Sequence, residues 1–106
     1  MLIACTTVTD RSDAEKLATA AIDHQLAVCA QIDGPITSIY RWQGQTERSQ
    51  EYRLMFKLLP GQADHLESHI LGLHPYDIPE WLVLPVQHVG EKYLSWAMAN
   101  SISSPL

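Results

Sequence analysis

The strongest constraint on the fold is the order in which two hydrophobic periods alternate along the chain. A short apolar run over residues 2–9 has the length and β-branched content of a buried strand. Residues 13–26 then place apolar side chains, mostly alanine, at the 3.6-residue spacing of a helix. Ser12 and Glu15 form a capping-box pattern, which predicts that this helix begins beside Ser12.

The middle of the chain has the pattern of two strands joined by a hairpin. Residues 27–32 and 36–43 both favour β structure, and the Gly34-Pro35 step between them predicts a kink or bulge in one long strand. Gly44-Gln45 is typical of a hairpin turn. Residues 51–59 alternate apolar and polar side chains, which predicts a third strand.

The remaining sequence predicts a second helix, an edge strand and a short third helix. Residues 62–73 again have helical spacing, and the two prolines of the following loop exclude a helix there. Residues 81–86 predict a fourth strand at a sheet edge, because the proline within it has no N–H to donate. Residues 91–100 predict a helix that buries Tyr93, Leu94 and Met98.

The predicted order is β-α-β-β-α-β followed by a helix, which indicates a ferredoxin-like α+β sandwich with an extra C-terminal helix. It assigns one domain to residues 1–100 and a flexible tail to residues 101–106. Right-handed crossovers place both main helices on one sheet face. The other face then keeps apolar side chains with no helix to cover it, and we expect a partner chain to bury this face.

The composition excludes several classes of partner. The chain has 7 basic and 12 acidic residues, a net charge of −5, and no basic stripe of the kind that binds nucleic acid or an anionic membrane. No segment approaches the roughly 18 consecutive apolar residues of a membrane span. Two cysteines are too few for a disulfide framework, and the first residues lack the basic start of a signal peptide. We therefore expect a cytoplasmic protein.

The sequence contains no phosphate loop, nucleophile elbow, HExxH or CxxC motif, and we expect that the protein is not an enzyme. Cys29 lies in an apolar run and is interpreted as a core residue, with a catalytic nucleophile as the alternative. His65 and His69 favour a solvated helix face, with a metal clamp as the alternative. His74, in a rigid two-proline loop, fits a hydrogen-bonding residue better than a ligand.

Several segments resemble the CutA family of divalent-cation tolerance proteins, in order and spacing, over nearly the whole chain. The segments that carry this resemblance are Cys5-Thr6-Thr7, Leu26-Ala27-Val28-Cys29-Ala30, the stretch from Ile36 to Gly44 (ITSIYRWQG), the loop from His74 to Glu80 (HPYDIPE), Leu84-Pro85-Val86 and Tyr93-Leu94-Ser95-Trp96.

The resemblance implies a ferredoxin-like homotrimer similar to the PII signalling proteins, with long hairpins that pair between subunits. It also implies a role in tolerance of divalent cations, and copper binding by ligands that match Cys5 and His74. Leu73 stands where copper-binding members have a further histidine, and Gln43 and Gln45 replace charged residues at the hairpin tip. Because one sulfur and one nitrogen do not complete a copper site, we expect weak copper binding and no obligatory cofactor.

The alternative function is a PII-like signalling or scaffold module that binds a small effector or a partner protein between subunits. We also expect the hairpin around Tyr40 and Trp42 to be intersubunit surface. The residues nominated for the cleft mix aromatic and ionisable groups within the matched segments; they are Cys29, Trp42, Glu51, Lys57, His74 and Tyr93.

Overall fold

A computed structural model describes residues 1–101, so the predicted tail lies outside the described residues except for Ser101. The described chain contains four strands and three α-helices, with a 3₁₀ turn before the second helix. In chain order these are β1 (Leu2–Val8), α1 (Arg11–Asp23), β2 (Cys29–Trp42), β3 (Gln45–Leu58), the 3₁₀ turn (Pro60–Gln62), α2 (Ala63–Leu73), β4 (Leu82–Pro85) and α3 (Glu91–Ala99).

The four strands form one antiparallel sheet in the order β2-β3-β1-β4. This order, with helices after β1 and β3, is the ferredoxin-like arrangement, so the predicted α+β fold class is confirmed. The prediction that β4 is an edge strand is also confirmed. That residues 1–100 form one domain stays a prediction.

The core lies between one face of the sheet and the helices α1 and α2. Phe56 at the centre of β3 is fully buried and packs beside Trp81, with 6.1 Å between their ring centroids. Ala14 and Ala21 of α1 are fully buried as well, so the alanine side of this helix faces the core. The side chains that alternate with Phe56 along β3 point to the second face of the sheet.

The predicted capping box is wrong. Helix α1 begins at Arg11, two residues earlier than the pattern indicated, with Asp10 as the N-cap residue and no side-chain capping bond. Arg11 and Glu15 instead form an ion pair of 3.4 Å across one helical turn. Helix α1 also ends at Asp23, three residues before the predicted end, and Gln25 has a left-handed φ of 56° just beyond it.

The hairpin is longer than predicted, and its turn lies one residue earlier. Trp42 pairs with Gln45, so the turn residues are Gln43 and Gly44, both with positive φ (49° and 77°) as a two-residue hairpin turn requires. Strand β3 therefore starts at Gln45 and not at Glu51. The sequence does not predict this half of β3, because its residues are polar on both faces. They form a strand through their pairing with β2.

The predicted irregularity at Gly34-Pro35 is confirmed as a bulge. Asp33 pairs with Arg53 and Ile36 pairs with Glu51, so two residues of β2 oppose Tyr52 alone. Such a bulge reverses the alternation of side chains in the rest of the strand.

The second face of the sheet is only partly covered within one chain. Helix α3 lies against one end of it, where Tyr93 approaches Lys57, but Leu82 and Leu84 of β4 remain 53% and 52% exposed. The predicted burial of Tyr93 and Met98 is wrong for the single chain, because they are 37% and 62% exposed. The physical reason is that, within residues 1–101, only α3 lies on this face, and no further layer covers the outer side of α3.

No helix among residues 1–101 combines the length and the apolar character needed to cross a membrane.

Candidate functional site

A buried carboxylate on the second face of the sheet lies at the end of a chain of side-chain hydrogen bonds. Glu51 is only 8% exposed, and its Oε2 atom accepts a hydrogen bond of 2.6 Å from the Tyr76 hydroxyl. The Tyr76 oxygen lies 2.8 Å from Thr9 Oγ1. Because the Tyr76 proton is directed to Glu51, the Thr9 hydroxyl donates to Tyr76. A directed chain of hydrogen bonds therefore runs from Thr9 through Tyr76 to Glu51.

This chain of hydrogen bonds is reflected in the titration of Tyr76. Burial, followed by the hydrogen bond to the Glu51 carboxylate, raises the pKa of Tyr76 from 10.0 to about 12. The Tyr76 hydroxyl therefore stays protonated throughout the physiological range and remains a donor. It holds the Glu51 carboxylate in one orientation.

The bulge at Gly34-Pro35 decides which hairpin side chains share the face of Glu51. Before the bulge, Ala30 and Ile32 of β2 point to the helix side, where they pack against the core. After it, Ile36 is the partner of Glu51, so every second residue from Ile36 to Trp42 shares the face of Glu51. Without the extra residue, Tyr40 and Trp42 would continue on the helix side.

These elements enclose a groove of about 810 Å³ on the second face of the sheet. We call it the Glu51 groove. One wall is the β2–β3 hairpin, the other is the loop that follows Tyr76, and the floor comes from β1 and Glu51. The lining residues are Thr7, Thr9, Ser38, Ile39, Tyr40, Trp42, Ser49, Glu51, Tyr76, Asp77, Ile78, Pro79 and Glu80.

His74 fastens the loop that forms the second wall. Its Nδ1 atom accepts the backbone N–H of Tyr76 at 3.1 Å, so the ring proton sits on Nε2. The Nε2 atom lies 3.1 Å from the Thr7 carbonyl and 3.0 Å from the Thr6 hydroxyl. Since Thr6 donates its own proton to the Glu80 carbonyl at 2.7 Å, it accepts from His74. Burial lowers the pKa of His74, which favours this neutral form.

Cys5 and His74, the predicted copper ligands, do not fit a copper ion within one chain. Alternate side chains of a strand point to opposite faces, so Cys5 and the Thr6 hydroxyl that contacts His74 lie on opposite sides of β1. Both ring nitrogens of His74 already have protein partners. Burial and the charge of Glu80 raise the pKa of Cys5, which disfavours the thiolate that copper requires. Weak copper binding stays a prediction.

Across residues 1–101, no three or more His, Cys, Asp or Glu side chains are arranged to hold a metal ion. The two histidines of α2, His65 and His69, have different surroundings. His65 is exposed, whereas the His69 ring packs on His24, with 4.4 Å between the ring centroids.

The nominated cleft residues lie in two separate places on the second face. Trp42 and Glu51 line the Glu51 groove, and His74 supports its wall. Cys29, Lys57 and Tyr93 meet near α3, about 20 Å farther along β3 at the usual rise per strand residue. There Lys57 Nζ lies 6.0 Å from the centre of the Tyr93 ring, and burial and the Cys29 side chain raise the pKa of Tyr93.

Residues 2–100 match the family model described as CutA1 divalent ion tolerance protein. The chain belongs to the CutA1 family. The divalent-cation tolerance protein CutA of Thermus thermophilus is 36% identical over 95 residues, which cover 90% of this chain and 92% of that protein. The protein of the same name from Yersinia pestis is 35% identical over 99 residues, with 93% and 83% coverage.

Solved CutA1-family structures have the same fold. CutA1 from Pyrococcus horikoshii superposes with a TM-score of 0.92 at 29% identity, covering 97% of this chain and 100% of that one. CutA from Synechococcus elongatus superposes with a TM-score of 0.89 at 37% identity, covering 93% of this chain and 88% of that one. The resemblance found in the sequence motifs is therefore confirmed.

Sequence reasoning missed Tyr76, the partner of Glu51, and Thr9, the partner of Tyr76. Tyr76 was part of the recognised loop but was not nominated for the cleft, and Thr9 carried no signal. Tyr76 lies between Pro75 and Pro79 in a loop, where a large aromatic has no helix or strand of its own segment to pack on. That context was the available signal that its side chain reaches another element.

Proposed function

We propose that this CutA1-family chain acts in tolerance of divalent cations as a homotrimer, and that its working site is the Glu51 groove, where a small effector binds. The observation that carries this proposal is the Glu51 carboxylate, buried at the floor of an 810 Å³ groove and oriented by Tyr76. A volume of this size is typical of small-molecule sites. The curated relatives named for divalent-cation tolerance support the cellular role.

The geometry favours the groove over direct copper sequestration. Cys5 and the partner of His74 lie on opposite faces of β1, and the His74 nitrogens are occupied. We propose that the protein contributes to tolerance through a binding event at the groove, without catalysis, in the cytoplasm. The two free cysteines are compatible with that reducing compartment.

The second face of the sheet supports the proposed homotrimer. It exposes large apolar side chains on three elements: β4, the hairpin and α3. Trp42 at the hairpin tip is 46% exposed and Trp96 of α3 is also 46% exposed. Large apolar side chains exposed on several elements are typical of an interface. A threefold assembly of a single chain closes such an interface without leaving an open end.

The proposed trimer is tested by sedimentation equilibrium of the wild type and of a variant at the hairpin tip. We expect sedimentation equilibrium to give about three times the chain mass of 11.9 kDa. Trp42→Ala should shift the equilibrium toward monomer at micromolar concentration, because it removes a large aromatic from the interface. Ile22→Ala is the matched control, since Ile22 is 40% exposed on α1, away from the second face. A wild-type mass of one chain contradicts the trimer, and an unchanged Trp42→Ala variant contradicts the role of the hairpin.

The function is tested in a bacterial host whose own CutA1-family gene is deleted and which has become sensitive to a divalent cation. We expect the wild-type chain and Cys5→Ser to restore tolerance, and Glu51→Gln to fail at equal protein levels. The two side chains lie on the same face of the sheet, but only Glu51 lines the groove. Loss of tolerance in Cys5→Ser with retention in Glu51→Gln would assign the function to metal ligation.

A further inference from the structure

The charge of the Glu51 groove restricts what it binds. Among the described residues that line it, three are acidic, Glu51, Asp77 and Glu80, and none is basic. Two arginines of the sheet are engaged elsewhere: Arg53 pairs with Asp33 at 3.2 Å, and Arg41 donates to the Gly44 carbonyl at the same distance. Arg48 of the hairpin is an odd number of residues from Glu51 along β3, so its side chain leaves the sheet on the opposite face. The groove is therefore a site of negative potential in the described chain.

Glu51 lacks a countercharge although it is buried. Within residues 1–101 its recorded partner is the neutral Tyr76 hydroxyl, and no lysine, arginine or histidine forms an ion pair with it. A carboxylate removed from water without a cation is costly, and binding a cation beside it recovers part of that cost. Tyr76 fixes the carboxylate in place before any ligand arrives, which reduces the entropy lost on binding.

The walls of the groove add aromatic rings to this carboxylate. Tyr40 and Trp42 on the hairpin are 45% and 46% exposed, and Tyr76 stands on the opposite wall. The face of an aromatic ring attracts a cation, and clusters of aromatic rings bind substituted ammonium groups. The groove disfavours phosphates and carboxylates, because its acidic residues repel them and it has no basic residue to bind them.

We propose that the Glu51 groove binds an organic cation of the substituted ammonium class, with the charged head beside Glu51 and between the aromatic walls. This inference rests on the proposed function, since it names the ligand class of the same groove. A bare divalent metal is disfavoured because no three ligating side chains converge within residues 1–101. The volume of about 810 Å³ leaves room for an apolar body attached to the cationic head.

The test compares ligands of equal shape and different charge by calorimetric titration of the assembled protein. Choline is the cationic probe, 3,3-dimethylbutan-1-ol is its neutral isostere, and butyrate is the anionic probe. We expect choline to bind about tenfold more tightly than the neutral isostere, which is the size of a cation–π and charge contribution, and butyrate not to bind. Equal affinity for choline and its isostere, or preference for butyrate, overturns the proposal.

Variants locate the binding. Glu51→Gln preserves the shape and the acceptor for Tyr76, and it should weaken choline binding about tenfold; Trp42→Leu should weaken it as well. Glu67→Gln on the exposed side of α2 is the matched control and should bind as the wild type does. Undiminished choline binding in both groove variants overturns the assignment.

The outcomes separate this inference from the proposed function. If Glu51→Gln abolishes cation tolerance in cells while the groove prefers an anion, a nucleotide or a free divalent metal, the ligand class is wrong and the functional site stands. If the groove is filled by a lysine or arginine of a second copy, choline fails to bind the trimer but binds a monomeric variant such as Trp96→Ala, which leaves every lining residue of the groove in place, more tightly; this result also overturns the proposal. If choline binds but Glu51→Gln restores tolerance, the proposed function fails and the ligand class stands.

Discussion

Replacing Gly34 by alanine should lower the free energy of unfolding by about 3 kcal/mol or more. Gly34 has a φ of +145°, a conformation that side chains disfavour. A Cβ atom there would lie 2.7 Å from Cδ1 of Tyr52 and 3.0 Å from the Glu51 carbonyl. The second of these contacts is with the backbone of β3, which cannot rotate away, so the strands must separate at the bulge.

The same change should also damage the Glu51 groove. The bulge turns Tyr40 and Trp42 to the face of Glu51, and its loss returns them toward the helix side. Gly34→Ala should therefore lose ligand binding and cation tolerance in the fraction that still folds. Urea unfolding at a fixed protein concentration measures the stability, because assembly makes the midpoint depend on concentration.

Gly72 supplies the control for this prediction. It lies within α2, and a Cβ atom added there meets nothing within 4 Å. Gly72→Ala should leave stability unchanged or raise it by about 0.5–1 kcal/mol, since alanine favours a helix over glycine. Equal stability of Gly34→Ala and Gly72→Ala would show that the bulge tolerates a side chain at Gly34 and would contradict this prediction.

The bulge also shows how far the sequence predicts this fold. Gly34-Pro35 between two β-favouring segments was enough to predict an irregular long strand, because proline interrupts the ladder and glycine permits the bend. The first half of β3 was not predictable from its own residues. Arg48 and Gln50 and their neighbours are polar, and they become a strand only through pairing with β2. Helix α1 shows a local failure, since Asp10 and not Ser12 occupies the N-cap.

The candidate site was only half predictable for a related reason. Glu51 and Trp42 were both nominated for the cleft, but their shared face depends on one extra residue in β2. Tyr76 reaches Glu51 across 25 positions of sequence, and the bond exists because β1, β3 and the loop after α2 meet at one end of the sheet. The hydrophobic pattern within one segment does not predict which residues of different segments come into contact.

His74→Ala should lower the free energy of unfolding by about 2–4 kcal/mol, because it removes three hydrogen bonds and leaves polar groups unpaired. The Thr7 carbonyl and the Tyr76 N–H lose their partner, and the Thr6 hydroxyl, which is fully buried, loses its donor. The loop from His74 to Glu80 is held to β1 by these bonds. Its release should also free Tyr76 from Glu51 and open the second wall of the groove.

Acid should reproduce part of this loss in the wild-type protein. Burial lowers the pKa of His74 below its ordinary value of 6.5, so the folded state favours the neutral ring. The stabilising contribution of His74 is therefore complete above about pH 6.5 and declines as the pH falls toward the lowered pKa. Protonation at Nδ1 removes the acceptor for the Tyr76 N–H. Urea midpoints measured from pH 7.5 to 5 should fall in the wild type and in His65→Ala, in which an exposed histidine is removed.

The decisive comparison is the difference between the two histidine variants. At pH 7.5 His74→Ala should be less stable than the wild type. Its stability should then fall less as the pH is lowered, because the protonation of His74 no longer contributes. The difference in stability between the variant and the wild type should therefore narrow as the pH falls. A gap that stays constant from pH 7.5 to 5 would mean that the neutral His74 ring does not hold the loop. The second wall of the Glu51 groove would then depend on the Tyr76–Glu51 bond alone, and Tyr76→Phe would be expected to open it as fully as His74→Ala does.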